Sequence, residues 1–290
     1  MTSFGRILFP VDLSKQGQEA APFVAAMAKR FQSEVTLLHV VEVPCPWYES
    51  PEAMSLQSTA NLQTVISESK ARLDRYLADE LADVRVCRLV AQGEPARAIT
   101  DVARSRGAGL IMMPTHGYGP FRRMLIGSVT AKVLHDAQCP VWTGVHTEQI
   151  WSAKGAGWKR FLCAVDTEEQ DRVLLHWAAQ FAEEQGAELQ VVHAVHEAAP
   201  IPAGQESETL RDFLLGVARA RLDQMQSQIG TRFDIWMRFG KVGPVVHQAA
   251  LDHRADLILI GRGLMRKALG GLRSQAYAVI REAPCPVISV

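Results

Sequence analysis

The sequence predicts an α/β protein made of two tandem open, doubly wound parallel five-stranded sheets, each with strand order 3-2-1-4-5 and with helices on both faces. Short apolar runs alternate with longer stretches whose apolar residues recur at helical spacing, and parallel strands need such crossover helices. The apolar runs are nearly continuous, which is typical of strands covered on both faces. The same order of runs and stretches occurs in both halves of the chain.

Five apolar runs predict the strands of the first half. They are RILFPV at 6–11, EVTLLHVV at 34–41, VRVCRLV at 84–90, GLIMMP at 109–114 and PVWTGV at 140–145. The intervening stretches predict helices. The first follows the capping residue Ser14, and the second carries apolar residues from Leu62 to Leu81. The third runs from about Pro95 to Arg106, and the fourth covers Ser128–Asp136.

The second half of the chain repeats the first. RILFPVD at 6–12 returns as RFLCAVD at 160–166, and VTLLHVV returns as LQVVHAV at the same offset. GAGLIMMP then returns as RADLILIG, and AQCPVW as APCPVI, in the same order. Such repetition indicates a tandem duplication. We therefore expect a first domain at residues 1–148 and a second at 158–290.

Composition excludes several classes of partner. The 31 Lys and Arg residues balance 31 Asp and Glu residues, so the chain has no global field for nucleic acid or an acidic membrane. No run approaches the roughly 20 apolar residues of a membrane span, and the N-terminal run is too short for a signal peptide. The five cysteines form no C-x-x-C pair, and an odd number argues against a disulfide framework. We expect a cytoplasmic protein with reduced thiols.

The predicted strand order indicates where a ligand would bind. In open sheets of this kind, ligands bind outside the carboxyl ends of the strands, where the strand order reverses. The first and fourth strands flank that point. Asp12 follows the first strand, and the turn from Pro114 to Gly117 follows the fourth. These two loops are therefore expected to lie together.

The residues at this point suit an anion with one acidic neighbour. Gly117 can take a positive φ and lets backbone N–H groups approach a phosphate. Nine residues later, Gly127 and Ser128 stand at a predicted helix start, where free N–H groups and the helix dipole favour phosphate. Ser128 and Thr130 add hydroxyl donors. Asp12 can accept a hydrogen bond from an adenine amino group or a ribose hydroxyl, so the set predicts a nucleotide pocket.

Each of these residues also has a structural interpretation. Asp12 lies two residues before Ser14, and its alternative role is to cap the following helix without contacting a ligand. Ser128 is an N-cap candidate whether or not a ligand binds. His39 and His193 lie inside apolar strands, where a core histidine with a satisfied hydrogen bond is the more frequent case. His116 lies in the turn itself, where we expect hydrogen bonding to a ligand rather than catalysis.

Other chemistries lack their motifs. The sequence contains no G-x-x-x-x-G-K-[ST] phosphate loop and no G-x-S-x-G elbow. Histidines and cysteines do not cluster at metal-ligand spacings, so no metal site is predicted. No residue is assigned a catalytic role.

The first half resembles the universal stress protein family. The motifs ILFPVDLS, VTLLHVV, GEPARAI, LIMMPTHG and, after nine residues, GSVTAKVLHDAQCPVW carry the resemblance in this order. The second half is similar from RFLCAVD to CPVISV, with weaker motifs. The resemblance implies a five-stranded α/β fold that binds ATP, ADP or AMP, with Mg²⁺ as an optional companion of the nucleotide. It also implies dimerisation through the last strand and a role in stress survival.

The family pattern G-x-x-G, nine residues, G-[ST] assigns residues of the first half to a nucleotide. Asp12 would contact the base or ribose, with Val11 and Val40 beside the adenine. Met113 and Thr115 would line the ribose side. The phosphates would be held by residues of the turn and the helix start, namely Gly117, Gly127, Ser128, Val129 and Thr130. Pro114 replaces the first glycine of the pattern, so any contact there uses its carbonyl or its ring.

The second half departs further from the pattern. Asp166 matches Asp12, and Gly261 stands where the first half has Pro114. The following turn is one residue shorter and ends at Gly263. Nine residues later, Arg273 and Ser274 replace the Gly-Ser pair. An arginine there either fills the phosphate pocket or clamps a phosphate, and we favour the first alternative, which makes this site degenerate.

Three functions are open at this point. The leading one is an adenine-nucleotide-binding regulatory protein of the stress response, with one competent site in the first domain. The second is a slow ATPase or autophosphorylating protein that uses Ser128 or Thr130 with a bound metal. The third is a nucleotide-free interaction or scaffold module, for which Pro114 is the best evidence. We expect the two domains to pair within the chain, with a homodimer of chains as a further option.

Overall fold

The structure is a computed structural model that describes residues 4–42, 56–114, 126–144, 158–195, 205–261 and 274–290. At 56–61, 205–207 and 274 it describes the backbone alone. The chain divides into two compact units, Ser3–Trp142 and Thr143–Val290.

The first unit contains a parallel sheet in which β1 is central. Its strands are β1 (Arg6–Pro10), β2 (Glu34–Val41), β3 (Arg85–Gln92), β4 (Leu110–Pro114) and β5 (Val141–Gly144), whose last two residues lie past the boundary of the unit. The strand order is β3-β2-β1-β4-β5. β1 pairs in parallel with β2 and with β4, and Ile7 lies opposite Val35 on one side and Leu110 on the other. Strand order therefore reverses between β1 and β4.

Four helices cross between these strands: α1 (Lys15–Phe31), α2 (Leu56–Arg75), α3 (Pro95–Arg106) and α4 (Ser128–Asp136). α1 buries a face of alanines with Val24 and Met27. Glu94 caps α3, because its carboxylate accepts a hydrogen bond from Arg97 N–H at 2.8 Å. Gly107 ends α3 in the left-handed region at φ 60°, where glycine is favoured.

The second unit has the same sequence of elements. Its strands are β6 (Arg160–Ala164), β7 (Glu188–Val195), β8 (Ile235–Phe239), β9 (Leu257–Ile260) and β10 (Val287–Ser289). Its helices are α5 (Glu169–Gln185), α6 (Gln205–Ile229), α7 (Val242–Asp252) and α8 (Ser274–Glu282). The strand order β8-β7-β6-β9-β10 again places the first strand of the unit next to the fourth. None of the helices in the described ranges is both long and apolar enough to cross a membrane.

The α/β class and the parallel strands predicted from the sequence are confirmed. One helix prediction was too long: the apolar pattern continues to Leu81, whereas α2 ends at Arg75. The chain turns at Leu77, which has φ 55°, so the regular helix cannot continue. Leu77 and Leu81 are nevertheless buried. Their burial explains why the apolar pattern of the sequence continues beyond the end of α2.

An aromatic cluster forms part of the core of the second unit. The ring of Phe181 stacks on Phe161, with centroids 5.4 Å apart, and on Trp177, with centroids 5.0 Å apart. Trp158 meets the Phe181 ring edge-on at 5.9 Å. Phe181 has no exposed surface, so its whole side chain contributes to packing.

Replacing Phe181 with alanine is expected to destabilise the second unit by about 3–5 kcal/mol, because a large cavity is left in a packed core. Phe213→Ala removes the same atoms from α6, where the ring is 65% exposed, and should change stability by less than about 0.5 kcal/mol. Urea denaturation of the two variants measures both effects. Equal losses would contradict the proposed importance of the cluster.

Candidate functional site

The strand order brings the carboxyl ends of β1 and β4 together in the first unit. Because the two strands are parallel neighbours, the residues that follow them emerge at the same edge of the sheet. Val11 and Asp12 follow β1, and β4 ends at Pro114. Met113, the preceding residue, is buried in the sheet. A crevice at such an edge is the usual ligand site of this architecture.

Hydrogen bonds to β2 fix the backbone at Val11. The Val11 N–H donates to the Leu38 carbonyl at 2.8 Å, which extends the sheet pairing by one residue. His39 Nδ1–H donates to the Val11 carbonyl at 2.9 Å. His39 is therefore a satisfied histidine, as one interpretation of the sequence had it, and its partner is a residue of the predicted site. Val40, the next residue, is half-buried.

Asp12 closes the turn that leads into α1. Its Oδ1 accepts a hydrogen bond from Ser14 N–H at 3.1 Å, and Leu13 between them has φ 59°. Ser14 is the N-cap of α1, although its side chain makes no capping hydrogen bond. Asp12 therefore orders the approach to the helix and does not cap it, and its side chain is exposed.

α4 begins at a residue that has no side chain. Gly127 is its N-cap, with φ −56°, so the backbone angle does not require glycine here. The absence of a Cβ instead leaves the first N–H groups of the helix, those of Ser128, Val129 and Thr130, without a capping side chain. Ser128 is exposed and Val129 is half-buried. The helix start thus presents backbone donors and a positive dipole end.

A side-chain hydrogen bond holds this helix start against β4. Thr130 Oγ1 donates to the Pro114 carbonyl at 3.2 Å, and Thr130 is only 4% exposed. The Pro114 carbonyl, one of the two groups that the sequence left for a ligand contact, thus accepts a hydrogen bond from within the protein. Because this bond occupies the Thr130 hydroxyl, any phosphate contact from Thr130 would come from its backbone N–H.

A second contact holds α4 against α3. Lys132 Nζ lies 3.0 Å from Glu94 Oε1, and the other oxygen of Glu94 caps α3. The hydrogen bond from Arg97 N–H, followed by the one from Lys132, lowers the pKa of Glu94. Both side chains are largely exposed, so the pair contributes orientation more than stability.

Several predicted site residues lie outside the described residues. In the first unit these are Thr115, His116 and Gly117, and in the second they are Gly263 and Arg273. Ser274 is the first residue of α8, and its backbone alone is described. The described part of the predicted site is therefore the two strand ends, the start of α1 and the start of α4.

The second unit carries an additional carboxylate at the same edge of its sheet. Asp171 stands in α5 at the position that Gly17 occupies in α1, and it is 3% exposed. Its Oδ2 accepts a hydrogen bond from Asp166 N–H at 2.9 Å. An ideal Cβ on Gly261, which follows β9, would lie 3.5 Å from Asp171 Oδ1. Asp171 therefore lies between the residues that follow β6 and β9.

Burial, followed by the charge of the neighbouring Asp166 carboxylate, raises the pKa of Asp171 from its usual 3.8 to about 7, although the hydrogen bond from Asp166 N–H acts to lower it. Burial and the charge of Asp171 also raise the pKa of the Cys163 thiol. The sequence interpretation missed Asp171. Its signal was the replacement of a glycine by a carboxylate between the two repeats.

The residue equivalent to Thr130 in the second unit cannot donate such a hydrogen bond. Ala276, which has no hydroxyl, stands at the position of Thr130, and Gln275 stands at that of Val129. A small cavity of about 20 Å³ lies between Val165, His193 and Gln275. This volume accommodates about one water molecule.

Within the described ranges, no three histidine, cysteine or acidic side chains form a group that could hold a metal ion. The four cysteines found there are free thiols, of which Cys163 and Cys285 are buried.

The geometry of the described residues defines a class of protein with tandem doubly wound α/β units. In the first unit, the start of α4 is held beside the point where the strand order reverses.

Comparisons identify the family. The sequence model of the universal stress protein family matches residues 3–143 and 157–290. A universal stress protein of Methanocaldococcus jannaschii is 31% identical over 138 residues, which is 48% of this chain and 80% of that protein. One of Thermus aquaticus is 34% identical over 135 residues, 46% of this chain and 98% of that protein. The chain belongs to the universal stress protein family and contains two tandem domains of that type.

A solved structure shows the same fold over almost the whole chain. The universal stress protein from Archaeoglobus fulgidus aligns with a TM-score of 0.62 over 99% of this chain and 96% of that protein, at 19% identity. At this identity the likeness concerns the fold alone.

Asp171→Asn tests the buried carboxyl. Because the folded-state pKa of about 7 lies above the unfolded value near 3.8, folding favours the protonated form. The contribution of Asp171 to the stability of the wild type is therefore largest below pH 4 and falls until about pH 7. The free energy of unfolding of the variant relative to that of the wild type should therefore increase by about 2–3 kcal/mol as the pH rises from 5 to 8.

Urea denaturation at several pH values between 5 and 8 measures this gain. Asp212→Asn, on an exposed part of α6, is the matched control and should show no such trend. A stability difference between Asp171→Asn and the wild type that does not change with pH would exclude a protonated Asp171 in the folded protein.

Proposed function

We propose that this universal stress protein binds an adenine nucleotide in its first domain and serves as a nucleotide-dependent regulator in the stress response. The observation that carries the proposal is the hydrogen bond from Thr130 to the Pro114 carbonyl. It holds the uncapped start of α4 at the end of β4, and β4 is the direct neighbour of the strand that leads to Asp12.

The base and ribose would occupy the side of the site formed by β1 and β2. Val11 is fixed by bonds to Leu38 and His39, so its backbone and side chain form a rigid wall beside Val40. Asp12, the next residue after Val11, is exposed, and one of its carboxylate oxygens accepts a hydrogen bond from Ser14 N–H. A carboxylate oriented in this way accepts hydrogen bonds from a ribose hydroxyl or an adenine amino group.

The phosphates would occupy the side formed by α4. The N–H groups of Ser128, Val129 and Thr130 face the N-terminal end of the helix, and Gly127 places no side chain in front of them. Ser128 is exposed and can add a hydroxyl donor. Donors of this kind combine with the helix dipole to favour negative charge.

The second domain keeps the bonds that fix Val11, because Val165 is bonded in the same way to Val192 and His193. It differs at the helix start and beside the aspartate, which supports a single competent site. Ala276 cannot make the bond that Thr130 makes, and Asp171 places a second acidic group beside Asp166. We therefore propose that the second domain is degenerate as a nucleotide site.

The proposal is for binding, with ATP, ADP or AMP as ligand and Mg²⁺ as an optional companion of the phosphates. The Thr130 hydroxyl, one of the two candidate nucleophiles at the helix start, already donates to a backbone carbonyl. This bond favours a structural role for Thr130 over phosphoryl transfer.

Gly127→Arg is expected to weaken ATP, ADP and AMP binding at least tenfold, because its side chain would cover the donors at the start of α4. Gly216→Arg adds the same charge and bulk to α6, where a side chain meets nothing within 4 Å, and serves as the matched control. Isothermal titration calorimetry on both variants and the wild type measures affinity and stoichiometry.

One site per wild-type chain, lost in Gly127→Arg and kept in Gly216→Arg, is the expected result. Two sites in the wild type would contradict the degenerate second domain. Unchanged affinity in Gly127→Arg would contradict the position of the phosphates.

Thr130→Val tests the contact between α4 and β4. The variant keeps the side-chain shape but leaves the Pro114 carbonyl unsatisfied, so it should lose about 1–2 kcal/mol of stability and bind nucleotide about tenfold more weakly. Thr100→Val is the control, because Thr100 donates within α3 to the Arg97 carbonyl. It removes a hydroxyl of the same kind at a distance from the start of α4 and should keep its nucleotide affinity. A Thr130→Val protein with full affinity would remove the main support for the proposed function.

A further inference from the structure

Tyr76 connects the end of α2 to the turn that holds Asp12. Tyr76 follows the last residue of α2, and its hydroxyl donates a hydrogen bond to the Ser14 carbonyl. The two residues are 62 positions apart in the sequence. Ser14 is buried and stands at the start of α1, directly after the turn.

The backbone of Tyr76 is itself anchored. Its N–H donates to the Arg72 carbonyl at 3.0 Å. From β3, the Arg88 guanidinium donates to the Tyr76 carbonyl at 3.4 Å and to the Leu73 carbonyl at 3.1 Å. Leu73 and Leu77 on either side are buried. The tyrosine ring therefore projects from a fixed point of the first unit.

Gly17 provides the space that this ring needs. A Cβ on Gly17 would overlap the Tyr76 hydroxyl and come within 3.3 Å of the ring carbon that bears it. Gly17 lies in the first turn of α1, where glycine is a poor helix former and no left-handed angle requires it. Clearance for Tyr76 is the physical reason for a glycine at this position.

Ser14 transmits the position of Tyr76 to Asp12. Its carbonyl accepts from the Tyr76 hydroxyl, and its N–H donates to Asp12 Oδ1 at 3.1 Å. A tyrosine that fixes the Ser14 peptide therefore also fixes the donor that orients the carboxylate.

The second unit holds the equivalent turn by other means. ARLDRY, which ends at Tyr76, aligns with ARLDQM, which ends at Met225, so the hydroxyl is absent there. Asp171 replaces Gly17, and its carboxylate bonds directly to Asp166 N–H. The pair of Gly17 and Tyr76 in one unit thus corresponds to the pair of Asp171 and Met225 in the other.

We propose that Tyr76 is a positioning residue of the nucleotide site, which sets the orientation of the Asp12 carboxylate through the Ser14 peptide and requires Gly17 for its clearance. The inference rests on the proposed function of the first domain for its ligand. Tyr76 touches no part of the nucleotide and acts only through Asp12.

Tyr76→Phe is the central test. It keeps the ring and removes the hydroxyl, so AMP and ATP should both bind about five- to tenfold more weakly, by the same factor, because Asp12 contacts the nucleoside part that they share. Ser67→Ala is the matched control. It removes a hydroxyl of the same helix, which donates to the Gln63 carbonyl, and should leave both affinities unchanged.

The Asp12→Ala background separates positioning from general loss of structure. If Tyr76 acts through Asp12, adding Tyr76→Phe to Asp12→Ala should not weaken AMP binding further. If Tyr76 only stabilises the fold, the same factor should be lost in both backgrounds, and that result would overturn the proposal. Calorimetric titration with AMP of the wild type, the two single variants and the double variant gives this comparison.

Gly17→Ala provides an independent variant. It displaces the tyrosine hydroxyl and should weaken AMP binding as Tyr76→Phe does. Combining the two changes should be no worse than Tyr76→Phe alone, because the overlap at Gly17 is mainly with the hydroxyl that phenylalanine lacks. Normal AMP binding by Gly17→Ala would contradict the clearance argument.

A readout without ligand distinguishes failure of this inference from failure of the proposed function. Hydrogen exchange of the Ser14 amide should be about tenfold faster in Tyr76→Phe than in the wild type and in Ser67→Ala. A wild type that binds no nucleotide would refute the proposed function, and the positioning contact would then be judged by this exchange alone. Equal exchange in all three proteins would overturn it.

Discussion

The parallel pairing of β1 with β4 determines where every other part of the first unit's candidate site can lie. The two strands leave the sheet at the same edge, where the strand order reverses, so Asp12 and Pro114 lie at the usual ligand edge of this architecture. The pairing is stable because both strands are buried on both faces. In the part of the site that the structure describes, His39, Thr130 and Tyr76 each donate a hydrogen bond to a residue that ends or follows one of these strands.

Those contacts hold backbone rather than side chains. His39 bonds to the carbonyl of Val11, Thr130 to that of Pro114 and Tyr76 to that of Ser14. Each fixes a peptide group at or just beyond the end of β1 or β4, where a regular sheet or helix no longer provides hydrogen-bond partners. A preorganised rim of this kind loses little conformational entropy when a ligand binds. The functional side chains are few, and much of the polar chemistry of the site serves to hold the chain in place.

The sequence predicted the fold class, the parallel strands and most element bounds, because alternating apolar runs and helical periodicity report burial directly. α3 and α4 end where Arg106 and Asp136 were expected. The end of α2 was not predictable, since Leu77 stays buried after the chain has left the helix. The contact of Tyr76 with Ser14 was also beyond the sequence. It joins distant residues whose types alone give no sign of pairing, and only the packed structure brings them together.

The two units show how a duplicated fold can keep its geometry while its electrostatics change. Asp166 and Asp12 stand at equivalent positions, but in the second unit a buried neighbour with a pKa of about 7 accompanies the carboxylate. Close to neutral pH the charge at that edge of the second sheet therefore depends on proton concentration. The first unit has a glycine at this position, Gly17, so that the described charges at its edge are those of Asp12 and of the helix dipole at the start of α4.

The exchange of Gly17 and Tyr76 for Asp171 and Met225 also bears on how such repeats can diverge. A carboxylate at position 17 would collide with the tyrosine, and a methionine at position 76 would leave the first turn without its donor. A protein in which only one of the two positions has changed would therefore have a poorly held turn at the start of α1. The two positions are thus expected to have changed together, so a chimera that swaps α1 for α5 will fold around a working turn only if the end of α2 is exchanged with it.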